Sequence, residues 1–85
     1  MKLSYKDHDM TTVLTASGEL TADQADAFRR TCQDRVAAGI RDVVFDMEHL
    51  TLVDSTGLEL LLWLVELLAD AGGHLRLVRP DATVK

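Results

Sequence analysis

Hydrophobic and polar residues alternate in short segments of the chain and recur at helical spacing in two longer ones. KLSY and MTTVLTAS contain β-branched residues and are joined by the polar KDHD, which predicts a hairpin of two strands. RDVVFDM is a compact apolar segment of the kind buried on both faces of a sheet, and HLRLV after a Gly-Gly pair is a further strand. The pattern therefore predicts about four strands.

The first helical segment is predicted from Ala22 to Ala38. Thr21 with Gln24 three residues later has the spacing of a capping box, and Gly39 supplies the left-handed residue that ends a helix. The apolar positions that share one face of this helix are Ala25, Phe28, Cys32 and Val36. This face should lie against the sheet.

The second helical segment follows the sequence LVDSTG. Thr56 and Glu59 have capping-box spacing, but Asp54 and Ser55 compete for the same N-cap role, so the helix start is defined only to within a residue or two. One broad apolar arc contains Leu58, Leu60, Leu61, Leu64, Val65, Leu67 and Leu68. We expect this arc to face the core.

A narrow polar stripe of Glu59, Glu66 and Asp70 lies opposite that arc; Trp63 falls within it and Leu62 beside it. Large apolar side chains on the solvent side of a small domain suit a partner-facing patch. The alternative is that a terminal segment of the chain folds over them. The pattern does not choose between the two.

The order strand, strand, helix, strand, helix, strand predicts an α/β fold with a parallel pair of strands. The chain has 85 residues, 47% of them hydrophobic and 27% charged, which suits a single domain over 1–85. The net charge is −5 and the basic residues are scattered, which disfavours nucleic acid as a partner. The N-terminal segment lacks the apolar core of a signal peptide and acidic residues interrupt the most apolar segment, so we expect no membrane insertion and a cytoplasmic location.

Candidate chemistry centres on Ser55. A hydroxyl at a helix N-terminus lies near free backbone N–H groups, which could also hold a phosphate, whereas Asp54 and Glu59 would repel it. A modified Ser55 would therefore act as a switch on a binding surface, although an isolated Asp-Ser pair at a helix start more often serves only as a cap.

Enzymatic chemistry is disfavoured. Residue 53 is valine, so Ser55 lacks the glycine that a nucleophile elbow requires at that position. His8, His49 and His74 have no metal-ligand spacing, and no Walker-type loop is present, so we expect no metal, no cofactor and no catalysis. The single cysteine, Cys32, is expected to be a small buried hydrophobic residue.

The segment LVDSTGLELLL resembles the phosphorylation-site segment of the STAS-domain anti-sigma factor antagonists, whose signature is Asp-Ser-Ser/Thr-Gly-Leu at the start of the second helix. ASGELT, VVFDMEHLTLVDSTG and GGHLRLV are similar, in order, to other parts of that family, so the resemblance covers nearly all of the chain. It implies that a serine kinase phosphorylates Ser55. The expected partner-binding residues are Asp54, Thr56, Gly57, Glu59, Leu62 and Trp63.

The resemblance also implies a mechanism. The unphosphorylated protein would bind an anti-sigma factor, often itself the kinase, and release a sigma factor; phosphorylation would end that binding, and a phosphatase would restore it. The alternative function is a non-catalytic STAS scaffold subunit of a lipid-transport or signalling complex.

Family members usually continue beyond the fourth strand, whereas here Pro80 and Asp81 look like the first turn of a next helix near the end of the sequence. We therefore expect a C-terminally shortened STAS-like sheet whose uncovered edge and apolar surface favour self-association into a homo-oligomer, with exchange of elements between subunits as one route.

Overall fold

The computed structural model describes residues 2–78, which form a mixed five-stranded sheet with two helices. The strands are β1 Lys2–His8, β2 Thr11–Leu20, β3 Asp42–Asp46, β4 Leu50–Val53 and β5 His74–Val78. The helices are α1 Ala25–Ala37, which follows a short 3₁₀ turn at Ala22–Gln24, and α2 Ser55–Asp70. The α/β class and both main helices are thus confirmed, with β4 added to the four expected strands. The helix start expected at Pro80 and Asp81 lies outside the described residues.

The sheet is built around the long strand β2. β1 pairs with it antiparallel through a tight hairpin in which Asp9 adopts a positive φ of 55°. β3 runs parallel to the first half of β2, and β4 runs parallel to its second half after a register shift at Gly18. β5 extends the sheet by pairing parallel with β3. Consequently β2 is adjacent to the strand that leads directly into α2.

One face of the sheet forms the core with the two helices. Alternate β2 positions are buried, as expected for a strand with one covered face, while Val13 between them is 40% exposed. The aromatic rings of Phe28 from α1 and Phe45 from β3 meet edge to face, with 5.8 Å between their centroids. The side chains of Cys32 and Leu64 are buried in the same cluster. α1 and α2 therefore pack side by side on this face of the sheet.

The start of α1 differs from the prediction. The side chain of Thr21 makes no capping hydrogen bond, so the expected capping box does not form. Instead a 3₁₀ turn, closed by a backbone hydrogen bond of 3.0 Å from Gln24 to Thr21, precedes the α-helix. The expected start at Ala22 is therefore correct only for this turn, because the α-helical hydrogen-bonding pattern begins at Ala25. The predicted end of α1 at Ala38 lies one residue beyond the observed end at Ala37.

Candidate functional site

Asp54 caps α2. Its backbone is extended, with φ −85° and ψ −175°, and its carboxylate accepts a 2.8 Å hydrogen bond from the backbone N–H of Gly57. This geometry satisfies one of the N–H groups that a helix leaves without a partner at its start. Asp54, rather than Ser55 or Thr56, is therefore the N-cap of α2. The capping box predicted from Thr56 and Glu59 does not define the start of the helix.

Ser55 is the first residue of α2, and its side chain is exposed, whereas Thr56 is half-buried. Within residues 2–78, none of the side-chain hydrogen bonds of the structure uses the Ser55 hydroxyl, because Asp54 already acts as the cap. A hydroxyl that is exposed and not committed to the fold can be reached by a second protein. Of the two adjacent hydroxyls, Ser55 is the more accessible one.

The start of α2 is held against β2 by the backbone. The N–H of Asp54 donates a 3.3 Å hydrogen bond to the carbonyl oxygen of Leu20, the last residue of β2. Gly57 approaches the same carbonyl so closely that an added Cβ would lie 2.4 Å from the Leu20 oxygen and 2.9 Å from Cγ1 of Val53. Glycine is therefore required at position 57 for steric reasons, and this contact fixes where Ser55 stands on the surface.

The surroundings of Ser55 are acidic. Residues 42–75 contain no lysine or arginine, and Glu59 is exposed one turn after Ser55. Neither Asp54 nor Glu59 takes part in an ion pair with another residue of the described segment. A negative group on Ser55 would meet the positive end of the helix dipole but no lysine or arginine from α2 or from β4, the strand that precedes it.

Two residues expected on the partner-facing side of α2 differ in their surroundings. Leu62 is 65% exposed, as predicted, whereas the half-buried Trp63 packs against the core, which corrects its expected place on the solvent side. Val65, expected in the core, is 46% exposed. The exposed apolar surface of α2 is therefore centred on Leu62 and Val65 rather than on Leu62 and Trp63.

Sequence reasoning missed the strand β4 and with it Leu52, a side chain 42% exposed two residues before Asp54. The sequence pattern assigned no separate element to LTLV, which entered only as part of the family-like segment VVFDMEHLTLVDSTG. The signal in the sequence that could have revealed it is the composition of LTLV, in which the β-branched Thr51 and Val53 alternate with two leucines. Leu52 adds apolar surface to the acidic region around Ser55.

The three histidines are all exposed and lie apart in the structure. His8 pairs with Asp9, His49 with Glu48 and His74 with Asp42, at 3.6, 3.3 and 3.8 Å respectively. Among residues 2–78 there is no group of three or more His, Cys, Asp or Glu side chains arranged to hold a metal ion. Over the same residues, neither helix is long and apolar enough to cross a membrane.

The family model for the STAS domain matches residues 2–85. The chain belongs to the STAS domain family. No curated protein matches this STAS chain. The agreement confirms the family that the segment around Ser55 indicated, together with its α/β fold.

Solved structures of anti-sigma factor antagonists share the fold. The anti-sigma factor antagonist SpoIIAA matches in its unphosphorylated form with a TM-score of 0.83. The phosphorylated form of the Bacillus SpoIIAA matches with a TM-score of 0.82. In both comparisons the sequences are 21% identical, and the match covers 96% of this chain and 76% of SpoIIAA. A putative antagonist from Thermotoga maritima has a TM-score of 0.87 at 23% identity, covering 96% and 71%. An anti-sigma factor antagonist from Mycobacterium paratuberculosis has a TM-score of 0.77 at 26% sequence identity, and the match covers 95% of this chain and 70% of that protein.

Proposed function

We propose that this STAS protein is an anti-sigma factor antagonist whose binding to an anti-sigma factor is switched off by phosphorylation of Ser55. The observation that carries the proposal is the position of Ser55: it is exposed, it is the first residue of α2, and Asp54 performs the capping that would otherwise occupy its hydroxyl. The solved fold relatives include an antagonist in both unphosphorylated and phosphorylated forms.

The switch follows from charge and bulk at the start of α2. The tip is held by Gly57 and Leu20, so a phosphate on Ser55 would extend from a fixed surface instead of inducing a new fold. A phosphate adds a charge of about −1.5 to −2 to a region that already contains Asp54 and Glu59. A partner that fits the unmodified surface would lose both its close contact and its charge balance.

The proposed partner is an anti-sigma factor that is also the ATP-dependent serine kinase, and a phosphatase restores the binding form. The STAS protein itself is non-catalytic and acts in the cytoplasm. Partner contacts are assigned to the tip of α2, where Asp54 and Gly57 shape the surface and Glu59 and Leu62 extend it.

The test is mass spectrometry of the intact chain after incubation with ATP and a candidate anti-sigma kinase, with Ser55→Ala and Thr56→Val in parallel. We expect one added phosphate on the wild-type chain and on Thr56→Val, and none on Ser55→Ala. Binding to the kinase should be retained by Ser55→Ala and weakened by Ser55→Asp.

A phosphate that persists in Ser55→Ala and disappears in Thr56→Val would move the site to Thr56. A stable complex in which no residue is phosphorylated would instead support the scaffold function, in which the leucine-rich α2 docks the STAS protein onto a larger transport or signalling complex. In that case Ser55 is only a helix residue next to its cap.

A further inference from the structure

One face of the sheet has no helix packed on it, and we call it the open face. Both helices lie on the opposite face, where alternate residues of β2 and β3 are buried. The strand register places four residues of the open face in one row, each on a different strand: Lys6, Val13, Val44 and Arg76. Lys6 and Arg76 are exposed. This open-face row therefore has a positive charge at each end and two valines between them.

The connections between strands explain why the open face is uncovered. α1 connects the parallel strands β2 and β3, and α2 connects β4 to β5, which runs parallel to the same strands. Such crossovers are right-handed in nearly all proteins, so crossovers that advance in one direction across a sheet place their helices on the same face. A further helix and strand beyond β5 would extend the helix-bearing face in the same way. A continuation of this kind leaves the open face uncovered.

Two carboxylates of β3 lie beside the row. Asp42 is exposed and lies 3.8 Å from the imidazole of His74. Asp46 is buried, and its carboxylate accepts a 3.0 Å hydrogen bond from the backbone N–H of Glu48. The two basic ends of the row, in contrast, form no ion pair with another residue of the segment 2–78. They are therefore the charges that the open face offers to a partner.

The polar stripe of α2 has the opposite charge. Glu59, Glu66 and Asp70 are exposed, and within residues 2–78 none of them forms an ion pair. At 3.6 residues per turn they lie within about 40° of one another around the helix axis, opposite the fully buried Leu68. The stripe therefore points away from the sheet, and a helix packed beside α2 would leave it in solvent.

The open-face row and the polar stripe also match in length. Neighbouring strands lie about 4.8 Å apart, so the three steps from β1 to β5 separate Lys6 from Arg76 by about 14 Å. With a rise of about 1.5 Å per residue, Glu59 lies about 10.5 Å from Glu66 and about 16.5 Å from Asp70 along α2. A helix laid across the open face can therefore bring a carboxylate to each basic end of the row.

We propose that the open face binds the polar stripe of α2 from a second copy of the chain. Lys6 and Arg76 of one copy then pair with the carboxylates of the other, and Val13 and Val44 lie beneath the helix. Two open faces, or two α2 helices, fit each other less well because they would bring like charges together. The contact joins two different surfaces, so each copy keeps one free surface of each kind and association continues beyond a dimer. The contact goes beyond the Ser55 switch and does not require phosphorylation.

The experiment is sedimentation of the purified chain at concentrations up to the millimolar range, because a polar contact of this size is weak. We expect the average mass of the wild-type chain to rise with concentration past that of a dimer. Two charge reversals test the surfaces separately. The face variant is Lys6→Glu/Arg76→Glu, and the stripe variant is Glu59→Lys/Glu66→Lys. Each should weaken self-association at least about tenfold, since like charges then meet at the contact.

Mixing the two variants is the decisive step. The face variant retains the acidic stripe and the stripe variant retains the basic open face, so an equimolar mixture has one intact contact. The two reversed surfaces also have opposite charges and suit each other. We therefore expect the mixture to associate at concentrations at which each variant alone is a monomer. Recovery in the mixture also shows that both variants are folded.

Matched controls separate the proposed contact from the effect of net charge. Arg29→Glu/Arg30→Glu reverses two exposed charges on α1 and alters the net charge as much as the face variant does. Asp23→Lys/Asp26→Lys is the corresponding control for the stripe variant. Neither control should weaken self-association by more than a small fraction of the loss in its matched variant. Circular dichroism should show that all variants fold.

Several outcomes would overturn the proposal. A wild-type chain that remains a monomer over the whole concentration range lacks the contact. A mass that stops at the dimer, or a stripe variant that self-associates alone, would show a contact between two identical surfaces. Equal losses in the face variant and in its α1 control would show that only net charge matters. A mixture that stays monomeric would show that the two surfaces do not bind each other.

Discussion

The carboxylate of Asp54 accepts a 2.8 Å hydrogen bond from the backbone N–H of Gly57, three residues further along α2. The same two residues contact the end of β2, Asp54 through a hydrogen bond to the Leu20 carbonyl and Gly57 through its lack of a Cβ. In the Asp-Ser-Thr-Gly segment, the first and last residues therefore stabilise the start of α2 and its contact with β2. Ser55, between them, is left exposed.

Replacing Asp54 should separate its capping role from its charge. Asp54→Ala should lower the free energy of unfolding by about 1 kcal/mol, because the Gly57 N–H loses its acceptor. Asp54→Asn should retain most of the stability, since an amide oxygen can accept the same hydrogen bond. Urea denaturation of the three proteins measures this difference. If Asn and Ala were equally destabilising, the carboxylate charge would matter more than the cap.

Gly57→Ala should destabilise the fold by about 1 to 3 kcal/mol, as expected when a methyl group is forced into a closely packed site. The new Cβ would overlap the Leu20 carbonyl oxygen, which belongs to the backbone and can move only if the start of α2 shifts away from β2. Glu59→Ala is the matched control, because it places alanine at an exposed position of the same helix. Thermal unfolding of both variants tests this, and equal melting temperatures would contradict the steric argument.

The sequence predicted the elements whose signals are local and repeated. The faces of α1 with Phe28 and Cys32 and of α2 with Leu60 and Leu64 follow from helical periodicity, and they are buried as predicted. The strand β4 escaped detection because it has four residues and, among residues 2–78, pairs only with the far half of β2. Such a pairing depends on the length of β2, which short-range alternation does not reveal.

Periodicity also fails to predict which side of a helix has a neighbour. Val65 lies on the apolar arc of α2 but is 46% exposed, because it borders an open apolar groove between α2 and Leu75 and Leu77 of β5. Trp63 falls in the polar stripe but packs against the core, since its long side chain reaches buried residues from a position at the edge of the arc. In both cases tertiary packing, rather than angle on the helix, decides burial.

Leu64 and Leu62 provide a direct comparison on α2. Leu64 is 0% exposed and Leu62 is 65% exposed, although both are leucines within one turn. Leu64→Ala should lower the free energy of unfolding by about 2 to 5 kcal/mol through the cavity it leaves. Leu62→Ala should change it by no more than about 0.5 kcal/mol, as for most surface substitutions. Chemical denaturation of both variants measures the contrast, and similar losses would show that Leu62 is covered in solution.

Cys32 gives the protein a characteristic dependence on alkaline pH. Burial raises the pKa of the Cys32 thiol from 9.0 to about 12, because the thiolate would lose its hydration in the core. Above pH 9.0 the unfolded chain releases this proton and the folded chain retains it, so the unfolded state binds fewer protons and the free energy of unfolding falls as pH rises. The stabilisation is complete below pH 9.0 and is lost progressively towards pH 12.

The measurement is urea denaturation at several alkaline pH values for the wild-type chain and for Cys32→Ala. Alanine removes the titrating thiol, so tyrosine and lysine titration affects both proteins equally and cancels in the difference. Within that window the wild-type free energy of unfolding should fall faster than that of Cys32→Ala by about 1.4 kcal/mol per pH unit. Parallel curves would mean that the Cys32 thiol ionises as readily in the folded protein as in the unfolded chain, and would place it in contact with water rather than among Phe28 and the other core residues.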